Sequence, residues 1–130
     1  MKSDKKKTIL IVDDTKPIRI MLLKKLEKNY QCLLSDNPRD ALELFREYKD
    51  EISLIISDYE MPQMNGFEFL KRINLFKKPV PIIMVSGSLN KIRFHELHNL
   101  GVRKFIAKPV NLNRLLKEIK GVIEEESNSK

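Results

Sequence analysis

SLIISDYEMPQMNG, residues 53–66, decides the fold. Leu54, Ile55 and Ile56, with Ile52 just upstream, make a short apolar run rich in β-branched side chains, and it stops at Ser57-Asp58. A run this short, ended by turn residues, reads as a strand buried on both faces. Asp58 then stands at the strand's C-terminal edge, where a carboxylate reaches solvent. A turn from Met61-Pro62 to Asn65-Gly66 follows, and a helical pattern begins at Phe67. In an open α/β sheet the C-terminal edge of the strands is where ligands bind. What Asp58 does there is the question the rest of the chain answers.

Upstream, TILIV (residues 8–12) is a second buried-strand run, ending on Asp13-Asp14. Thr15 and Pro17 suit a helix start. Ile18, Met21, Leu22 and Leu26 recur at helical spacing to about Lys28. A short strand follows from Tyr30 to Leu34. Asn37-Pro38-Arg39-Asp40 opens the next helix, with Ala41, Leu44, Phe45 and Tyr48 as its buried stripe. Downstream, Phe67, Leu70 and Ile73 mark a helix that ends before Pro79. A strand is expected from Val80 to Val85, a helix from Asn90 to Leu100 closed by Gly101, and a fifth strand from Val102 to Ala107. Leu112, Leu115, Leu116, Ile119, Val122 and Ile123 form the cleanest amphipathic pattern, and the polar tail from Glu124 is expected to fray. Five strands alternating with five helices over short loops predict an α/β fold: a doubly wound, five-stranded parallel sheet with helices on both faces.

The length of 130 residues suits one domain, and 42% hydrophobic with 33% charged residues is an ordinary globular balance. No apolar run approaches the roughly 18 residues that span a bilayer. The basic start MKSDKKK leads into only five apolar residues and is not a signal peptide, so a cytoplasmic protein is expected. The single Cys32 excludes an intrachain disulfide and reads as a small buried core residue. The formal charge is +7, with basic residues in the N-terminal tail and scattered through every helix. Without a basic stripe interleaved with aromatics, no direct nucleic-acid contact is expected.

Chemistry gathers at the strand ends. Asp13-Asp14 follows the first strand, Asp58 the third, Ser86 the fourth and Lys108 the fifth, all on one edge of a parallel sheet. In the order 2-1-3-4-5 the two acidic ends face one crevice. Carboxylates roughly 5 Å apart at an effective dielectric near 20 repel by about 3 kcal/mol per pair. Either one is protonated or a cation sits among them. An oxygen-only site suits magnesium or manganese, and the scarcity of His and Cys argues against zinc. A carboxylate attacks phosphorus as a nucleophile, and a metal with a lysine would stabilise charge on the transferring oxygens. These residues therefore point to phosphorylation of Asp58. Each has a plainer reading alone: a strand-end acid, a turn former, a helix cap, a surface lysine. Their joint placement on successive strand ends favours the site.

From residue 8 to about residue 123 the chain resembles the receiver domain of two-component response regulators, with the flavodoxin-like strand order. The resemblance rests on Asp13-Asp14, on Arg19, on Asp58 with Met61-Pro62 and Gly66, on Ser86, on Phe105 and on Lys108-Pro109. It implies Asp58 as phosphoacceptor, a metal held by Asp13, Asp14, Asp58 and the main-chain carbonyl of Glu60, Lys108 and Ser86 on the phosphoryl group, Ser86 and Phe105 as a switch pair, and a cis bond before Pro109. It implies a histidine kinase or histidine phosphotransfer protein as donor. Output would run through the surface of helix four, strand five and helix five, which includes Phe94, His95 and His98. The two histidines read as exposed polar residues; Phe94 fits either core or surface. Glu60 and Ser88 lie where members of the family vary. The expected organisation is a basic tail over residues 1–7, a receiver over 8–124, a frayed end over 125–130 and no output domain. Two other readings remain open. One is an aspartate-nucleophile phosphohydrolase of the haloacid dehalogenase type, whose nucleophile follows strand one. The other is a receiver-like binding module that takes no phosphate.

Overall fold

The computed structural model describes residues 5–128. Five parallel strands, β1 (Lys7–Val12), β2 (Tyr30–Ser35), β3 (Ile52–Asp58), β4 (Ile82–Ser86) and β5 (Val102–Ala107), lie in the order β2-β1-β3-β4-β5. The helices are α1 (Lys16–Leu26), α2 (Pro38–Tyr48), α3 (Gly66–Asn74), α4 (Phe94–Asn99) and α5 (Leu112–Asn128). The doubly wound arrangement expected from the alternation is what forms.

The inner strands carry continuous apolar runs, residues 9–12 in β1, 54–56 in β3 and 82–85 in β4, because successive side chains feed opposite layers. Ile9, Ile11, Leu54, Ile56, Ile83 and Val85 pack with Leu22 and Leu26 of α1 and Leu115, Ile119 and Val122 of α5. Leu10, Val12, Ile55, Ile82 and Met84 pack on the other face against Phe45 of α2, Phe69 and Leu70 of α3 and Leu97 of α4. Burying both faces places β1 and β3 inside the sheet and sets their polar C-terminal residues side by side at its edge.

Several expectations are corrected. Met21 belongs to the apolar spacing of α1, yet it is 37% exposed, because α1 turns only Leu22 and Leu26 fully inward. Thr15 makes no side-chain cap. Pro81 precedes β4 rather than lying within it, where its carbonyl accepts from Ile55 N–H at 3.1 Å. The helix expected over residues 90–100 is broken: a 3-10 turn spans Leu89–Lys91, buried Ile92 is extended at φ −93, ψ 140, and α4 holds six residues. Drawing Ile92 into the core interrupts the helical ladder there. Gly101, at φ +110, closes α4 as expected. Cys32 is half-buried rather than a core residue, since β2 is an edge strand. The C-terminal helix continues through Asn128, tied down where Arg103 pairs with Glu125 and Glu126. Residues 1–4 of the expected basic tail and residues 129–130 of the end expected to fray lie outside the described residues.

One glycine is required by close approach. Gly66 begins α3 with its N–H on Tyr59 C=O at 2.7 Å. A Cβ there would stand 2.9 Å from Met84 Sδ and 3.0 Å from Tyr59 Cα. Gly66→Ala should therefore destabilise by about 1–3 kcal/mol through overpacking, read as a lowered urea midpoint. An unchanged midpoint would show that the loop after Asp58 is not clamped by this contact.

Candidate functional site

The site is assembled from four strand ends. Asp58 closes β3 and is 2% exposed. Its Oδ2 accepts from Lys108 Nζ at 2.8 Å and its Oδ1 from Glu60 N–H at 3.2 Å. Asp13, just past β1, is also buried. Its Oδ1 accepts from Thr15 N–H at 2.8 Å, and its main-chain carbonyl accepts from Arg19 Nη1 at 2.7 Å. Thr15 thus holds the acid with its backbone, while Asn37 and Asn65 cap α2 and α3 with their side chains. Asp14 is exposed at the mouth. One carboxylate oxygen from each of Asp13, Asp14 and Asp58 lies within 4.8 Å of the others.

Electrostatics follow from this geometry. Burial raises the Asp58 carboxyl above the usual range, with the Asp13 charge adding to the rise; Lys108 and the Glu60 N–H oppose it. For Lys108, burial acts downward, but the bond and charge of Asp58, with Asp13 and Glu60, leave it raised overall. The two directions agree physically. The Asp58 side chain is 1% exposed and Lys108 26%. The carboxylate carries the desolvation cost, and the ammonium gains the partner while still reaching water. An acidic crevice with one lysine therefore leaves an uncompensated negative site. Three oxygen donors of this kind, with no His or Cys beside them among the described residues, fit a hard divalent cation such as Mg²⁺.

Ser86 closes β4 and is fully buried. Its hydroxyl donates to Glu60 Oε2 at 2.5 Å, and Glu60 Oε1 accepts from Gly87 N–H at 3.2 Å. The sequence reading put Ser86 on the Asp58 side of the crevice; here its hydroxyl is engaged by Glu60. That grip was missed. No sequence signal carries it: Asp58 pairs with Val85, so a long acid two residues past Asp58 reaches the residue after Val85 only through the β3–β4 register. Lys108 N–H donates to Ser86 C=O at 2.9 Å, and the following Lys108–Pro109 bond is cis, as expected. Phe105 on β5 is partly buried and meets Phe94 edge to face, with centroids 4.6 Å apart. Phe94, which fitted either reading, is a surface residue at 46% exposure. His95 and His98 are exposed, and His98 Nδ1 lies 3.3 Å from Val102 O.

Fold and site together define a class: a doubly wound α/β domain with a three-carboxylate crevice and an opposed lysine at its switch point. The chain belongs to the response regulator receiver domain family, whose model matches residues 9–120. It is 41% identical over 109 residues to a protein-glutamate methylesterase/protein-glutamine glutaminase of Burkholderia thailandensis, covering 78% of the chain. It spans 29% of that relative's length, and 9% and 52% of two other curated relatives. Among solved structures, the chemotaxis protein CheY4 of Vibrio cholerae superposes with a TM-score of 0.80 at 31% identity, covering 90% of this chain and 98% of that one. A CheY-like receiver domain protein of Methanospirillum hungatei superposes at 0.83 with 29% identity, covering 97% and 100%. A receiver is a signalling module. No helix among the described residues is long and apolar enough to cross a membrane.

Proposed function

We propose that the chain is a two-component receiver that takes a phosphoryl group on Asp58 from a histidine kinase or histidine phosphotransfer protein, and passes the signal on by docking another protein. The observation that carries this reading is the Asp58 carboxylate at the strand edge, flanked by two further aspartates and held by Lys108 at 2.8 Å. A carboxylate oxygen of Asp58 attacks phosphorus, the bond from phosphorus to the donor imidazole nitrogen breaks, and that nitrogen keeps the electron pair. Lys108 stands to follow the phosphoryl oxygens as charge develops. Asp13, Asp14 and Asp58, with the Glu60 main-chain carbonyl, would hold Mg²⁺ or Mn²⁺. Bound there, the ion would supply charge neutralisation on the phosphoryl oxygens.

In this reading Ser86 and Phe105 form the switch. The hydroxyl must leave Glu60 to reach a phosphoryl oxygen, and Phe105 must part from Phe94 to turn inward. The surface that then changes is α4, β5 and α5. Glu60→Ala removes both the acceptor for Ser86 and a negative charge near the incoming phosphate. The rate of acyl phosphate formation should rise roughly threefold or more, with stability lowered by about 1–3 kcal/mol because the buried Ser86 hydroxyl loses its acceptor. A slower rate would show that Glu60 assists transfer instead.

The test of the proposal is intact mass after incubation with acetyl phosphate, with and without Mg²⁺. A metal-dependent gain of one phosphoryl group is the expected result. No adduct, with beryllofluoride plus Mg²⁺ also silent, overturns it in favour of a phosphate-independent binding module. Steady phosphate release from p-nitrophenyl phosphate would favour a hydrolase.

A further inference from the structure

We propose that the groove between α2 and α3 docks an acidic amphipathic helix of a partner protein. None of its lining residues belongs to the Asp58 crevice or to α4, β5 or α5. Its volume is about 270 Å³, and Arg39, Leu42, Arg46, Arg72, Leu75 and Phe76 line it together with Glu43. On α2, Arg39, Leu42 and Arg46 recur at three- and four-residue spacing and share one helix face; Arg72 lies in the last turn of α3, and Leu75 and Phe76 follow just beyond it. Phe76 packs edge to face on core Phe45, with centroids 5.5 Å apart, which ties the floor to the core. Leu75 is 76% exposed, the most exposed large hydrophobic among the described residues.

Charge selects the occupant. Arg46 is committed to Glu43 through two bonds of 3.0 and 3.2 Å. The guanidiniums of Arg39 and Arg72 have no hydrogen-bond or ion-pair partner among the described residues. Two unpartnered guanidiniums bracketing an apolar floor match a helix that presents an aliphatic side chain between carboxylates, since guanidinium takes carboxylate in bidentate fashion. A phosphate backbone would leave Leu75 uncovered and would meet Glu43. A bilayer would have one exposed leucine to bury.

The probe is a phage-displayed library of helical 14-residue peptides selected on the full chain, with the enriched sequences synthesised and titrated. The expected result is acidic amphipathic sequences whose affinity falls at least tenfold for Leu75→Ser and for Arg39→Glu/Arg72→Glu, and falls as salt is raised. Both variants should keep the wild-type circular dichroism and the wild-type response to acetyl phosphate, because none of the three residues touches the crevice. If phosphorylation fails in the wild type as well, the groove proposal stands or falls on the peptide titration alone. Three outcomes overturn it: no enrichment, enriched peptides of other character, or binding indifferent to both variants. So does binding of duplex DNA, of anionic vesicles or of a second copy of the chain that the variants abolish, because it would assign the patch to that occupant.

Discussion

Asp58→Asn should abolish the phosphoryl adduct while leaving the protein folded and, at neutral pH, more stable. The loss of chemistry follows because an amide oxygen is a poor nucleophile, and no other described carboxylate shares the bond to Lys108. The gain in stability follows from burial. Asp58 takes up its proton at a higher pH when folded than the ordinary 3.8. The stability from that extra proton is present below the unfolded value and is lost as pH rises through the folded one. At pH 7 the ionised carboxylate, packed near Asp13, is therefore a cost that asparagine lacks. Lys108 still reaches water when its partner is neutral. The variant should gain about 1 kcal/mol at pH 7, and the gain should vanish as the pH is taken below the unfolded value. Urea unfolding at the two pH values, beside the mass experiment, checks both halves. A variant less stable at pH 7 would mean that the pairing with Lys108 outweighs the desolvation of Asp58.

Asp13→Asn separates the cation from the phosphoryl chemistry. The Thr15 N–H still finds an oxygen acceptor, and the Arg19 contact goes to the main chain. The fold should therefore persist. One negative charge leaves a crevice where three carboxylates meet within 4.8 Å. A unit charge at roughly 5 Å and an effective dielectric near 20 is worth about 3 kcal/mol, part of which hydration of the ion takes back. Affinity for Mg²⁺ should fall roughly 10- to 100-fold by calorimetric titration, with little change in unfolding without metal. Unchanged affinity would remove Asp13 from the metal site. Acetyl phosphate labelling should recover at high Mg²⁺ in this variant and not in Asp58→Asn, so the two effects are distinguishable.

Much of this was legible because parallel strands advertise themselves. Ile52, Leu54, Ile55 and Ile56 can be continuous only if both faces are covered, and that placed Asp58 at an edge. The same reasoning placed Asp13, Ser86 and Lys108 at the edge. What escaped depends on directions that periodicity does not carry. Met21 sits at core spacing, but α1 offers it only the margin of the layer. Ile92 interrupts a helical pattern because the core takes its side chain. Glu60 holds Ser86 across two strands, a contact that exists only once β3 and β4 are in register.

The shortness of α4 has an energetic consequence. Six residues are far fewer than the roughly 12 to 15 an isolated helix needs. Arg93 gives it no side-chain cap, and Leu97 is its one buried residue. Such a segment opens locally at a fraction of the free energy that unfolds the sheet beneath it. A coupling of only about 1–3 kcal/mol, the usual span between linked sites, is then enough to redistribute its conformers. If the proposed switch operates, the domain would keep a stiff chassis and confine the change to one loosely moored turn-and-a-half.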